Sequence, residues 1–438
     1  MDTNFPLTTG SGSRTGHAEN RPKLLFLAWA FPPANASSSS VRTWNTAKYL
    51  ARLGWDVTVV TPNPFMLRHV ERAENVATEL KREGIRRILT DHHWRCLSAD
   101  HLKCWNRGIG RLIGGVVRQV AWRLRIEQAI GWVKAAEQAC SRLAREDVEI
   151  ILASGPPFAA FRLARRLSDK LRRPYVLDYR DLWTDWYPSA STAQQEARLL
   201  EGCAAVTTVS RSCGLAIYRR FGCGAKLHVV TNGYDPEEFA YVKPYAFGHF
   251  AIVYAGAFDP PKRVISPVTA LLKRLKETTS GNGKEWYFHY YGPHNDYVSA
   301  EAARAEVMDR VVVHGRVSRI EALSAVKGAG AALVITSIAE EPTLVDKGIV
   351  TGKVFEALGF GIPVLAVAPR GSDLESIAET TGLVESFTAR DTEGMASFLR
   401  DLMLGETLEL KNGQVYAWPN IAKKLDVVLR KAMSSGFY

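Results

Sequence analysis

At 438 residues the chain is too long for one hydrophobic core, and two or three domains are expected. With 46% hydrophobic and 10% aromatic residues it is globular rather than disordered, and no apolar run approaches the roughly 20 residues of a membrane-spanning helix. The formal charge of +11 points to an anionic partner, and charge alone leaves nucleic acid, a lipid surface and a nucleoside diphosphate open.

Residues 1–20 are polar, rich in Gly, Ser and Thr, and lack the apolar stretch of a secretory signal, so they read as a disordered tail. The six cysteines form no C-x-x-C pair, and the ten-residue spacing of Cys203, Cys213 and Cys223 is no common zinc spacing. Reduced thiols in a cytoplasmic protein are expected.

Lys23–Ala28 reads as a short buried strand, followed by Trp29-Ala30-Phe31-Pro32-Pro33 and a loop of small residues. A helix is predicted from about Val41 to Leu53, with Trp44, Ala47, Leu50 and Ala51 as its apolar stripe, closed by Gly54. Asp56–Pro62 is the next strand, which makes a βαβ unit and hence a parallel sheet. No G-x-G-x-x-G stands at the first turn, which argues against a dinucleotide site. Residues 65–100 read as a charged insertion with helices.

Between 102 and 133, Leu102, Trp105, Ile109, Leu112, Val116, Val120 and Leu124 step along one face, with Arg107, Arg111, Arg118 and Arg125 on another. Trp105, Trp122 and Trp132 lie near. The pattern fits a helix lying on an anionic membrane surface, at the inner face of the cell membrane, or equally a helix packed on the sheet with a solvated arginine face. Four glycines (108, 110, 114 and 115) argue against one continuous helix.

The α/β rhythm resumes with a strand at Glu149–Ala153, a turn at Ser154–Pro157, a helix over Phe158–Leu171 and a strand at Tyr175–Asp178. Asp178, Arg180 and Asp181 follow at its end, where functional side chains of open α/β sheets sit, although a salt-bridged turn reads the same way. Ala204–Ser210 is a further strand, then a helix through Arg220, and Asn232-Gly233 makes a turn.

A second set opens with Phe250–Gly256 and a helix through Leu275. Strands at Trp286–Gly292, Val311–Val317 and Ala331–Ile335 follow, and then an irregular loop. From Gly352 a short helix is predicted, with a break at Gly359 and Gly361 before a strand from Val364. Lys353 and Glu356 share one face near its start, where free N–H groups and the helix dipole favour a phosphate. A surface Glu paired with Lys353 is the bland alternative.

The run K-x-x-E-A-L-x-x-G-x-P-V-L-A at 353–366 is similar to the donor-binding helix of GT-B glycosyltransferases, in particular glycosyltransferase family 4. F-P-P with Arg42, the stretch R-P-Y-V-L-D-Y-R-D-L-W and N-G-x-D-x-x-x-F at 232–239 resemble other markers of that family. The resemblance implies two Rossmann-like α/β domains facing a cleft. It divides the chain into an acceptor domain (21–235), a donor domain (236–417) and a terminal helix (418–438) crossing back to the first domain.

It also implies transfer of a sugar from a nucleotide sugar, as co-substrate, to a saccharide or lipid-linked acceptor hydroxyl, with no metal or other cofactor and no nucleic acid. In these terms Glu356 holds the ribose and Gly352 and Lys353 face the diphosphate. Gly256, Lys262 and Arg263 stand at the family's diphosphate turn, and Arg316 and Val317 fall where backbone reads the base. Asp178, Arg180 and Asp181 take the acceptor side. Two departures stand out. Ala257 replaces the usual arginine, and Gly348 falls eight residues before Glu356, where the family carries a first glutamate that contacts the sugar. A catalytically silent binding protein and a nucleotide-sugar epimerase therefore remain alternatives.

Overall fold

A computed structural model describes residues 21–33, 38–63, 73–91, 129–279 and 284–435, with isolated positions between 116 and 127. The tail at 1–20 and nearly all of the basic segment at 102–128 lie outside the described residues. Two parallel sheets organise the rest.

The first sheet has the order β3-β2-β1-β4-β5-β6-β7. Its strands are β1 (Lys23–Ala28), β2 (Asp56–Pro62), β3 (Arg86–Thr90), β4 (Ile150–Gly155), β5 (Tyr175–Tyr179), β6 (Ala205–Thr208) and β7 (Leu227–Val229). The second runs β10-β9-β8-β11-β12-β13. It is built from β8 (Phe250–Ala255), β9 (Trp286–Tyr291), β10 (Val311–Gly315), β11 (Ala331–Ile335), β12 (Val364–Val367) and β13 (Val384–Phe387). Both reverse direction of travel after their first three strands, between β1 and β4 and between β8 and β11. The crevices at the carboxyl ends of those pairs are where such sheets bind ligands.

The central strands are continuous apolar runs because helices cover both faces. Leu24 to Ala28 and Ile150 to Ala153 are all essentially inaccessible. Within the charged insertion expected at 65–100, Ala73–Glu83 is a helix as expected, but Arg86–Thr90 is an edge strand: Arg86 is exposed, Arg87 is half-buried with Nη1 enclosed, and Ile88 packs on the core, so its sequence looks like a charged loop. Ser154 and Gly155 extend β4 rather than starting a turn, since Ser154 pairs with Ala28 and Asp178 in the neighbouring strands.

The helices that position the site are α1 (Ser38–Arg52), α2 (Ile130–Ala139), α3 (Ala159–Leu171), α4 (Arg211–Phe221), α5 (Pro236–Ala240), α6 (Arg319–Lys327), α7 (Leu344–Lys347), α8 (Gly352–Phe360), α9 (Asp373–Thr381) and α10 (Trp418–Ser434). Helix α8 runs through Gly359 and stops at Gly361, whose φ of 71° is left-handed, so the expected break falls at one glycine only. Trp132 and Val133, read as part of the membrane-facing segment, are core residues of α2. Trp132 is fully buried, meets Trp29 edge-on at 5.5 Å and donates from Nε1 to Thr90 Oγ1 at 2.7 Å.

Two chain crossings join the halves. Tyr234 N donates to Tyr416 O at 3.1 Å and Trp418 N donates to Tyr234 O at 3.0 Å, so outgoing and returning strands run side by side. Helix α10 then inserts Trp418, Ile421, Leu425 and Leu429 among Leu24, Phe26 and Trp55 of the first core. No helix among the described residues is long and apolar enough to cross a membrane.

Candidate active site

The carboxyl ends of the two sheets meet across a cleft. On the first-domain side, Asp178 lies one residue before the end of β5 and is buried. Its Oδ1 accepts from Arg42 Nη2 at 2.6 Å and Thr207 Oγ1 at 2.8 Å; Oδ2 accepts from Arg42 Nε at 3.1 Å and Ser154 Oγ at 2.9 Å. Burial opposes its charge, but Arg42 and the two hydroxyls win and hold the carboxyl below the usual aspartate range. Every lone pair of Asp178 is thus engaged, and in this structure it is the counter-ion that fixes Arg42.

Asp181 is different. Its side chain is open to the cleft while protein crowds around it, and this desolvation pushes its pKa up to about 6 against the fields of Arg180 and Arg263. The Arg263 field comes from the opposite domain. Arg180 donates to Pro156 O, and its Nε is buried with no partner. Burial lowers the Arg180 pKa to about 10, which leaves it cationic at neutral pH.

On the second-domain side, β8 delivers Gly256. A Cβ there would lie 1.9 Å from Lys353 Cε and 2.6 Å from Lys353 Nζ, so the lysine stem occupies the space the glycine leaves. No described residue pairs with the Lys353 ammonium. Burial lowers its pKa, Glu356 opposes that shift and Arg263 adds to it. Both Glu356 and Arg263 therefore lie within its electrostatic reach. Asp259 and Arg263 close the turn after β8 by exchanging backbone hydrogen bonds at 2.8 and 2.9 Å, and their side chains pair at 2.9 Å.

Helix α8 begins at Gly352, where an added Cβ would meet nothing within 4 Å, so open space lies at the helix start. The N-cap Thr351 leaves its own Oγ1 buried and unpartnered. Glu356, one turn on, uses Oε1 to accept from Arg319 Nη1 at 2.7 Å, and no described residue occupies Oε2. At the end of β10, Arg316 is exposed and unpaired among the described residues, while Val317 packs on the second core.

Lys262 is held away from this group by Asp346, at 2.9 Å. It belongs to an adjoining interdomain cavity of about 710 Å³, lined by Asp185, Arg219 and Arg220 of one domain and Lys262, Val345 and Asp346 of the other. Two cations (Arg263, Lys353), an open helix N-terminus and a carboxylate with one free oxygen thus converge. That set suits a nucleoside diphosphate: phosphates on the cations and amides, a diol on the carboxylate.

Residues 39–238 match the family model described as Glycosyltransferase Family 4, and residues 249–404 match the one described as Glycosyl transferases group 1. Both halves of the chain thus carry glycosyltransferase domains, in the two-sheet GT-B fold. Among solved structures, sucrose-phosphate synthase from Thermosynechococcus elongatus is similar at 16% identity and TM-score 0.61, over 95% of this chain and 100% of that one. HepE of Anabaena, in complex with UDP and glucose, is similar at 15% identity and TM-score 0.56, over 94% and 100%. The lipopolysaccharide outer core galactosyltransferase WaaB is similar at 13% identity and TM-score 0.56, over 93% and 99%. At these identities the likeness is one of fold. A search of curated protein sequences returned no match.

The glycosyltransferase departs from its family pattern for a visible reason. A Cβ at Gly348 would lie 2.8 Å from Cys213 Sγ and 2.9 Å from Ser210 Oγ, so this position is a contact between domains with no room for a glutamate. The contact is reinforced where Asp373 accepts from Ser212 N at 2.8 Å and Ser212 Oγ at 3.0 Å. Of the acids upstream in the same loop, Glu340 pairs with Arg390 at 2.5 Å, and Asp346 caps α7 and holds Lys262. Reasoning from sequence missed Arg319 and Glu238, which have no local signal because their partners are far along the chain.

Proposed function

We propose that this glycosyltransferase binds a nucleoside diphosphate sugar on its second domain and moves the sugar to an acceptor hydroxyl at Asp181, with retention of anomeric configuration and without a metal ion. The observation that carries this reading is Lys353: its stem fills the space above Gly256, and its unpaired ammonium stands beside Arg263 at an open helix start. The bond from the anomeric carbon to the diphosphate oxygen breaks with its electron pair on the diphosphate. The acceptor oxygen bonds to that carbon, and its proton passes to Asp181. Lys353, Arg263 and the α8 amides stabilise the charge that grows on the leaving diphosphate. UDP in the HepE complex and the shared fold support a nucleotide donor.

Incubation with a panel of nucleotide sugars and saccharide acceptors tests the reading. Free nucleoside diphosphate released in an acceptor-dependent manner is expected. An isomerised sugar would make the protein an epimerase, and no turnover with any donor would make it a silent relative.

The acid limb of the rate profile gives a second check. Asp181 must be ionised to accept a proton, so kcat/KM is expected to fall as pH drops through about 6. Asp181→Asn should lose about 10²-fold in turnover and lose that limb with it. A variant with an unchanged profile would move the proton acceptor elsewhere.

A further inference from the structure

The cleft carboxylate that this reading assigns to the donor is not held by its own helix. Arg319, the first residue of α6, reaches it from outside, with Nη1 on Glu356 Oε1 at 2.7 Å. The other edge of the same guanidinium grips Glu238 through both carboxylate oxygens, Nε to Oε1 at 2.6 Å and Nη2 to Oε2 at 3.0 Å. Protein burial around the guanidinium disfavours its charge, yet Glu356 and Glu238 together raise its pKa. One planar fork thus joins two carboxylates in a fixed geometry that a lysine ammonium does not reproduce.

Glu238 sits on α5, the short helix that follows the crossing between domains. Its neighbour Glu237 pairs with Lys48 at 2.9 Å and with Arg52, both on α1 of the first domain. Asp235, the N-cap of α5, accepts from Lys48 Nζ at 2.8 Å and from Tyr49 at 2.7 Å. Helix α5 is therefore anchored to one domain by Asp235 and Glu237 and to the other by Glu238.

We propose that Arg319, braced by Glu238, is a positioning residue that fixes the orientation of the Glu356 carboxylate and so sets donor affinity from the interdomain crossing. The inference rests on the donor reading of Glu356. With Nη1 holding Oε1, the carboxylate cannot rotate freely, and Oε2 is left with no partner among the described residues. Loss of Glu238 leaves Arg319 with one partner in place of two, and the Glu356 carboxylate becomes mobile without itself being altered.

The test is calorimetric titration of UDP, ADP, GDP and dTDP, with the tightest binder carried forward, into the wild type, Glu238→Gln, Glu356→Gln, the double variant and Arg319→Lys. Glu238→Gln, which touches no donor, is expected to weaken binding about three- to tenfold in the wild-type background and less than about twofold when Glu356 is already replaced. Its kcat at saturating donor should stay within about twofold while KM rises. Arg319→Lys should weaken binding like Glu238→Gln, because it keeps the charge and loses the fork. Equal weakening by Glu238→Gln in both backgrounds, no weakening at all, or full retention by Arg319→Lys overturns the proposal. A wild type that binds none of the four nucleotides, or Glu356→Gln binding as tightly as wild type, refutes the donor reading instead, and the two failures are told apart by which variant stays silent.

Discussion

Replacing Asp178 with alanine is expected to cost about 3–5 kcal/mol of stability, because it strands the buried Arg42 guanidinium. Arg42 has side-chain exposure of only 2%, and besides Asp178 it donates to Val230 O at 3.0 Å, Thr231 O at 2.9 Å and Asn232 Oδ1 at 3.2 Å. It thereby ties α1, β5 and the segment leading to the domain crossing to one point. Asp178→Asn should be nearly as damaging, since the amide keeps the shape and removes the charge Arg42 needs. The urea midpoint measures the loss. The pH dependence has a definite sign: a carboxyl held below its unfolded pKa stabilises the fold above about pH 4, and that contribution fades as pH falls through the depressed value. An Asp178→Asn variant with a wild-type urea midpoint but no turnover would return this residue to catalysis.

Lys353→Ala is expected to leave the fold intact and lower turnover by about 10²- to 10³-fold, the range seen when one preorganised donor to a developing charge is removed. Gly256→Ala should fall to the same level by a different route. Its new methyl would overlap the Lys353 stem, 1.9 Å away at Cε, and must push the ammonium out of place. Since both variants remove one group, the double variant should be no worse than Lys353→Ala alone. Steady-state kinetics on the three proteins checks this. Fully additive losses would mean that Gly256 serves the fold and not the lysine.

The central strands were legible because a strand buried on both faces must be apolar throughout, as Leu24–Ala28 and Ile150–Ala153 are. Strand β3 was not, because an edge strand half in water carries arginines that look like loop. Trp132 misled for a related reason: its place beside basic residues in sequence suggested a surface, and its contacts with Trp29 and Thr90 come from elements 103 and 42 residues away.

The placement of Lys353 and Glu356 in the first turns of one helix was readable, since a helix sets their spacing and their dipole environment locally. Asp178 and Asp181 were not separable. Both stand at a strand end, and what divides them is Arg42, 136 residues upstream, which with Ser154 and Thr207 saturates Asp178 and makes no hydrogen bond to Asp181. Arg319 lies 81 residues from Glu238 and 37 from Glu356, so nothing but the assembled fold could reveal it.

The most direct test of the donor site is a crystal structure of the protein with the nucleoside diphosphate it binds most tightly. The diphosphate is expected at the start of α8, with Lys353 Nζ and Arg263 on its oxygens and the ribose hydroxyls on Glu356 Oε2. A nucleotide seated at the first-domain sheet, or on the second domain with Lys353 and Glu356 out of reach, would contradict it.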